Sequence, residues 1–308
     1  MKTHLRFALL PVIVTVLLAG CQGGSGPTPA ASQESIGETE AATPTSFHPV
    51  TPDASPTVTP TPVPLALTVN GESVTLDEYN LALQRFHLGV PEAPTEEARQ
   101  RVLDDAIDQI LLAQGAVEAG FVLSEEDWQA RYAGLVADAG GEEAFAVWLE
   151  VNLYSREQFE LDLLRSIAAA WMRDQIFAGV SLSAEQVRAR HVRLNTRGEA
   201  DDVLAQINGG TEFDLMIAFY DPEGLGDLGW FPRGVLFEPA IEEAAFALSV
   251  GDHSGVIETS VGFHIVEVTD YAADRPLDPD ALWALKLAAL ADWIENRRAA
   301  SNIEILVP

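Results

Sequence analysis

"VRARHVRLN", residues 187–195, alternates in the manner of a β-strand and marks the point where the character of the chain changes. Upstream, apolar residues recur at helical spacing; downstream, short strand and helix patterns interleave. "EADDVLAQINGG" (199–210) reads as a helix stopped by Gly209-Gly210, "TEFDLMIAFY" (211–220) as a second, and "PAIEEAAFAL" (239–248) as a third. Val256 to Val268 reads as two strands joined by a tight turn at Ser260-Val261-Gly262. The order is βααβαββ, which predicts a small α+β domain of about 80 residues built on an antiparallel sheet. Between its second and third helices lies "LGDLGWFPRG" (225–234), whose Gly226, Gly229 and Gly234 provide backbone freedom at the entry to a strand.

Working back toward the N-terminus, "LALTVN" (65–70) alternates like a short strand and Asn70-Gly71 turns it. Thr75-x-x-Glu78, Ser155-x-x-Gln158 and Ser183-x-x-Gln186 each fit a capping box, and Ser124 before Glu125, Glu126 and Asp127 is a close variant. These are helix starts. Val102, Ala106, Ile110, Ala113 and Val117 form one apolar face, and Phe159, Leu163, Ile167, Ala170, Trp171 and Ile176 another, with Phe145, Trp148, Leu149, Leu153 and Tyr154 on a shorter helix between. Bundle core is the default reading of such faces, and an open groove for unfolded chains is the alternative. Past the small domain, Leu282, Leu285, Ala289, Trp293 and Ile294 make a further helical stripe ending at Arg297-Arg298, and the terminal "NIEILVP" is strand-like, suited to pairing near 65–70.

The first 64 residues have another composition. A basic start, an apolar run from Phe7 to Ala19 and Leu18-Ala19-Gly20-Cys21 read as a signal peptide over 1–20. The run is too short for a membrane-spanning helix, which needs roughly 20 residues. Small residues before a cysteine resemble the bacterial lipobox, which implies cleavage and lipidation at Cys21; an ordinary secretory signal with a chance cysteine is the alternative. Residues 21–64 are then the lipidated cysteine and a Pro/Thr-rich tether whose composition cannot bury a core.

The formal charge of −29, from 18 basic and 47 acidic residues, argues against nucleic acid as a partner. A single cysteine excludes an intrachain disulfide and any zinc cluster built on several cysteines.

"RARHVRL", "GDLGWFPRG", "EEAAFALSVGDHSGVIET" and "GFHIVEV", in this order and spacing, resemble a parvulin-type peptidyl-prolyl cis/trans isomerase domain over 187–271. More diffusely, the opening Asn70-Gly71 turn, "VLDDAIDQILLAQGAVEAG", "FVLSEEDW" and "YSREQFELDLLRSI" resemble the helical chaperone domain of SurA-type and PrsA-type foldases over 65–186, with 272–308 returning to complete it. The expected fold class is α+β: a mainly helical SurA-like domain plus the small parvulin-like domain. The resemblance implies a membrane-anchored, extracytoplasmic isomerase and chaperone acting on unfolded or partly folded exported polypeptides with X-Pro bonds.

Such chemistry needs no cofactor, no metal and no nucleophile. The barrier of roughly 18–20 kcal/mol reflects lost amide resonance, and a thousandfold acceleration requires about 4 kcal/mol of preference for the twisted amide. The resemblance assigns His191, His264 and Thr259 to the catalytic hydrogen-bond network and Leu228, Leu236 and Ile241 to the proline pocket, with Phe231 added as a substrate-binding residue; Trp230 and Phe231 stay open between core and rim. The sequence departs from the family in two places. Leu236 and Ile241 stand where the family often has Met and Phe, and the loop Tyr220–Leu225 is short, which makes Asp221 the candidate acidic group, although an Asp before Pro is equally a turn former. Only Arg193 and Arg197, beside Glu199, Asp201 and Asp202, follow the first strand, so no phosphate-directed specificity is expected; His253 reads as solvated. The competing reading is a parvulin-fold binding module with weak or lost catalysis, and a hydrolase lacks any nucleophile motif.

Overall fold

A computed structural model describes residues 63–90, 93–220, 222 and 226–307. Signal, Cys21 and the tether up to residue 62 lie outside these residues, as does Asp221. The chain enters through a hairpin, β1 (Leu65–Val69) and β2 (Glu72–Thr75), turned by Asn70 and Gly71 at φ 52° and 88°. Both turn residues are left-handed, which suits the twist of a two-residue hairpin and is tolerated by Asn and Gly. Thr75 then caps α1 (Leu76–Phe86) in a reciprocal box with Glu78.

Thr95, Ser124 and Ser155 side chains likewise accept backbone N–H groups at the starts of α2 (Glu96–Glu118), α3 (Glu125–Asp138) and α5 (Arg156–Ala178); α4 (Glu142–Val151) starts at Gly141. The hairpin packs Leu67 and Val69 onto Ile107, Ile110 and Leu111 of α2, all essentially without solvent exposure. A second cluster joins Phe145 and Leu149 of α4 to Phe159 and Leu163 of α5, with Trp128 and Tyr132 of α3 against it.

The C-terminal stripe packs against this body. Helix α9 (Pro279–Ala299) lays Trp293 against Gly115 of α2, so close that a β-carbon at Gly115 would stand 2.7 Å from the indole. Arg298 binds Asp104 and Asp108 at 2.8 and 2.6 Å, and β7 (Ile303–Ile305) pairs with β1 to give a three-stranded sheet of order β2-β1-β7.

The remaining elements are β3 (Ser183–Leu194), α6 (Arg197–Asn208), α7 (Phe213–Tyr220), β4 (Asp227–Pro232), α8 (Pro239–Ala247), β5 (Ile257–Thr259) and β6 (Gly262–Pro276). Their order is the expected βααβαββ, and the sheet β4-β3-β6-β5 is antiparallel throughout. Alternation along the central strands separates its faces. Val192, Leu194 and Ile265 meet α6 and α7, whereas Val187, Ala189, Val266 and Val268 meet α8.

One expected helix start is corrected. Ser183 opens a strand, and Gln186, 1% exposed, donates to the carbonyls of Arg275 and Pro276 at 2.8 and 3.2 Å. Pairing with the long arm of β6 satisfies the backbone groups that a local cap would have served, so tertiary partners override the local signal.

Candidate active site

His191 and Arg193, two residues apart on β3, share the sheet face that α8 covers. His264 stands beside them on β6, in register with Arg193. The His191 and His264 rings lie 5.1 Å apart at 24°, and their Nδ1 atoms are 3.2 Å apart. His264 is 1% exposed, and its Nε2 is 3.0 Å from the Thr259 hydroxyl. That hydroxyl donates to Gly262 O at 3.2 Å and accepts the Val261 N–H at 3.2 Å.

With both rings neutral, one arrangement of protons satisfies all four contacts. The Thr259 proton goes to Gly262 O, so His264 Nε2–H donates to Thr259 and His264 Nδ1 accepts from His191 Nδ1–H. His191, His264 and Thr259 are thus one chain of hydrogen bonds, running from the β5–β6 turn to the cavity on the α8 side of the sheet.

Beside the histidines is a cavity of about 450 Å³ walled by Leu228, Leu236, Ile241, Phe237 and Val261, with Arg193 and Glu238 as its charged members. A bulge puts Leu228 there. Ala189 pairs with Gly229 and Arg190 with Asp227, so Leu228 is unopposed, and Gly229 at φ 67° makes the bend. The segment carrying Leu236 is fastened by Glu242 of α8, whose carboxylate accepts the N–H groups of Gly234, Val235 and Leu236 at 2.7, 3.1 and 3.2 Å. Glu238 is held by the Ser260 hydroxyl at 2.6 Å.

Leu228, Leu236 and Ile241 therefore meet at the cavity with His191 and His264. Phe231 does not line it: it is 2% exposed and packs edge-on against Phe246, ring centres 6.0 Å apart, in the core under α8. Trp230 carries the Arg275 guanidinium over its ring at 4.8 Å and is likewise absent from the wall. His253 is half-buried, with Nδ1 3.0 Å from Ser254 O, rather than wholly solvated. Sequence reasoning missed Glu242, Phe237, Glu238 and Val261. A glutamate in the first turn of a helix just after a glycine turn was the available signal for Glu242. Among the described residues, no three His, Cys, Asp or Glu side chains are placed to hold a metal ion, and no helix is long and apolar enough to cross a membrane.

Residues 173–272 match the family model of the PPIC-type PPIase domain. The peptidyl-prolyl cis-trans isomerase pin4 of Neurospora crassa is 32% identical over 95 residues, which cover 72% of that protein and 29% of this chain. The chain belongs to the parvulin family of peptidyl-prolyl cis/trans isomerases. Its isomerase domain supplies the cavity and the histidine pair described above.

Similarity extends beyond the parvulin domain. The Foldase protein PrsA of Caldanaerobacter subterraneus is 26% identical over 230 residues, 65% of this chain and 71% of that one, and the Foldase protein PrsA of Geobacillus kaustophilus is 29% identical over 184 residues, 57% and 63%. A crystal structure of the peptidylprolyl isomerase PrsA from Bacillus cereus superposes with a TM-score of 0.41 at 19% identity, covering 76% of this chain and 85% of that one.

Proposed function

We propose that this parvulin is a lipid-anchored, extracytoplasmic foldase, which isomerises X-Pro bonds in exported polypeptides and holds those polypeptides while they fold. The observation that carries the isomerase part is the His191–His264–Thr259 chain of hydrogen bonds at the edge of an apolar cavity. A prolyl ring seated against Leu228, Leu236 and Ile241 would bring its amide out of water and beside the histidines. Loss of water favours the twisted, less resonance-polarised amide over the planar one, and the oriented polar groups at the edge add to that preference.

His264 acts in this reading as a positioning residue. It is buried, and it sets the orientation of His191 while Thr259 sets its own. In the same reading, 65–186 with 272–308 form the chaperone domain, 187–271 the isomerase, Asp221 joins the site from its loop, and Cys21 is the lipidated residue. The relatives named Foldase protein PrsA support the foldase role.

A protease-coupled proline-peptide assay tests the proposal. A rate above buffer is expected, together with suppressed aggregation of an unfolded client. A rate equal to buffer alongside retained suppression would reject the isomerase part and leave a binding module.

A further inference from the structure

Arg193 lines the cavity and has no partner among the described residues. Its neighbours on the same strand are neutralised, Arg188 by Asp227 at 3.4 Å and Arg190 by Asp214 and Glu267, and Arg197 pairs with Asp201 at 3.2 Å. Arg193 is exposed and forms no ion pair, hydrogen bond or ring contact with the described residues. The cavity's carboxylate, Glu238, is turned to the Ser260 hydroxyl at 2.6 Å and makes no ion pair with Arg193.

An arginine left beside the apolar side chains of this wall, with Glu238 turned to Ser260, is an unusual placement in a chain of charge −29, whose acidic surface offers many carboxylates to an arginine. Strand geometry fixes where its charge falls. Two residues along β3 separate Arg193 from His191, a rise of about 7 Å, which is within reach of the side chain adjacent to a proline whose amide lies at the histidine pair. A guanidinium offers a planar fork that a carboxylate matches, and beside low-dielectric walls that attraction is stronger than on an open surface.

Resting on the isomerase reading, we infer that Arg193 is a specificity residue, and that it selects polypeptides in which an aspartate or glutamate lies next to the isomerised proline. One arginine suits one carboxylate. The other basic side chain near this strand end, Arg197, is already paired.

The test measures cis/trans exchange by NMR on the full chain, which avoids a coupling protease with its own charge preference. Substrates are peptides with Glu, Ala or Lys before the proline, and a second set with the same residues after it. In at least one set, kcat/KM for Glu over Lys is expected to be about three- to fivefold, the size of a partly exposed ion pair. The ratio should fall to about one in Arg193→Gln and invert in Arg193→Glu. Because the readout is a ratio within each variant, a general loss of activity cancels.

Ratios near one in both sets for the unaltered protein, or a ratio that survives Arg193→Gln, would overturn the assignment while leaving the isomerase reading intact. Exchange indistinguishable from buffer on every peptide, Ala-Pro included, would overturn both. A phosphoserine-Pro peptide favoured more than about tenfold over Glu-Pro would replace the carboxylate reading with a phosphate-directed site.

Discussion

Gly226 and His191 meet backbone to backbone: the His191 N–H donates to Gly226 O at 2.7 Å, and a β-carbon on Gly226 would stand 2.3 Å from the His191 carbonyl oxygen. The same atom would lie 3.0 Å from Ile217 of α7, and Gly226 has φ 59°. Gly226→Ala therefore faces both a left-handed backbone and an occupied space. A loss of roughly 2–4 kcal/mol is expected, with a lower thermal midpoint and reduced isomerase activity. An unchanged midpoint would show that the contact relaxes freely.

Thr259→Val keeps the shape of the side chain and removes the hydroxyl that lies 3.0 Å from the buried His264 Nε2. A stability cost of about 1–3 kcal/mol is expected. His264→Ala should lower kcat/KM by about tenfold or more while sparing client binding, because it removes the ring whose Nδ1 lies 3.2 Å from His191 Nδ1 and leaves the apolar side chains of the wall in place. Equal loss of isomerisation and of aggregation suppression would indicate a folding defect instead.

Glu242→Ala removes one carboxylate that three consecutive backbone N–H groups share. Gly234 to Leu236 would turn to water and Leu236 would leave the cavity wall. The expected result is a raised KM of severalfold for proline peptides with little change in the far-ultraviolet spectrum, and Glu242→Gln, which retains one acceptor oxygen, should recover part of the affinity. Wild-type KM in both variants would contradict this role.

Acidity should stabilise the fold. Burial pushes the carboxyls of Asp108 and Asp162 above the ordinary carboxylate value; Arg298 opposes this at Asp108, and Gln158, Arg85 and Arg165 oppose it at Asp162. The folded chain thus holds these protons more tightly than the unfolded chain does. Stability rises as pH falls through the raised values and stops rising below the ordinary range near about 4. Relief of self-repulsion in a chain of charge −29 acts in the same direction. A thermal midpoint higher at about pH 5.5 than at about pH 7.5 is expected; the reverse order would refute it.

Gly115→Leu tests the return of the C-terminal helix. Trp293 occupies the space that a side chain would need, so α9 should detach, and limited proteolysis should remove the C-terminal segment faster than in the unaltered protein. Equal protection would mean that the Arg298 ion pairs and β7 hold the segment without the indole.

Much of this was legible along the chain. Asn70-Gly71, the Thr75 box and the stripe through Trp293 are short-range signals whose physics is local, and the small lobe announces its elements by period and by turn residues. Ser183 misled because its cap pattern is real but weaker than eleven register pairs between β3 and β6. Phe231 misled because adjacency in sequence to Leu228 says nothing of depth, and α8 closes over it.

By itself, the sequence determined the order of elements in the small domain, because turns and periodicity are set by neighbours a few residues apart, and its resemblance to the parvulins pointed to His191, His264 and Thr259. Tertiary structure alone decided which side chains face the cavity and which charges stay unpaired. A one-residue bulge brings Leu228 into the wall, and Asp227, Asp214 and Glu267 neutralise two arginines of β3 while passing over Arg193. Those outcomes depend on partners distant in sequence, and an ion pair or a wall exists only once the chain has brought both members together.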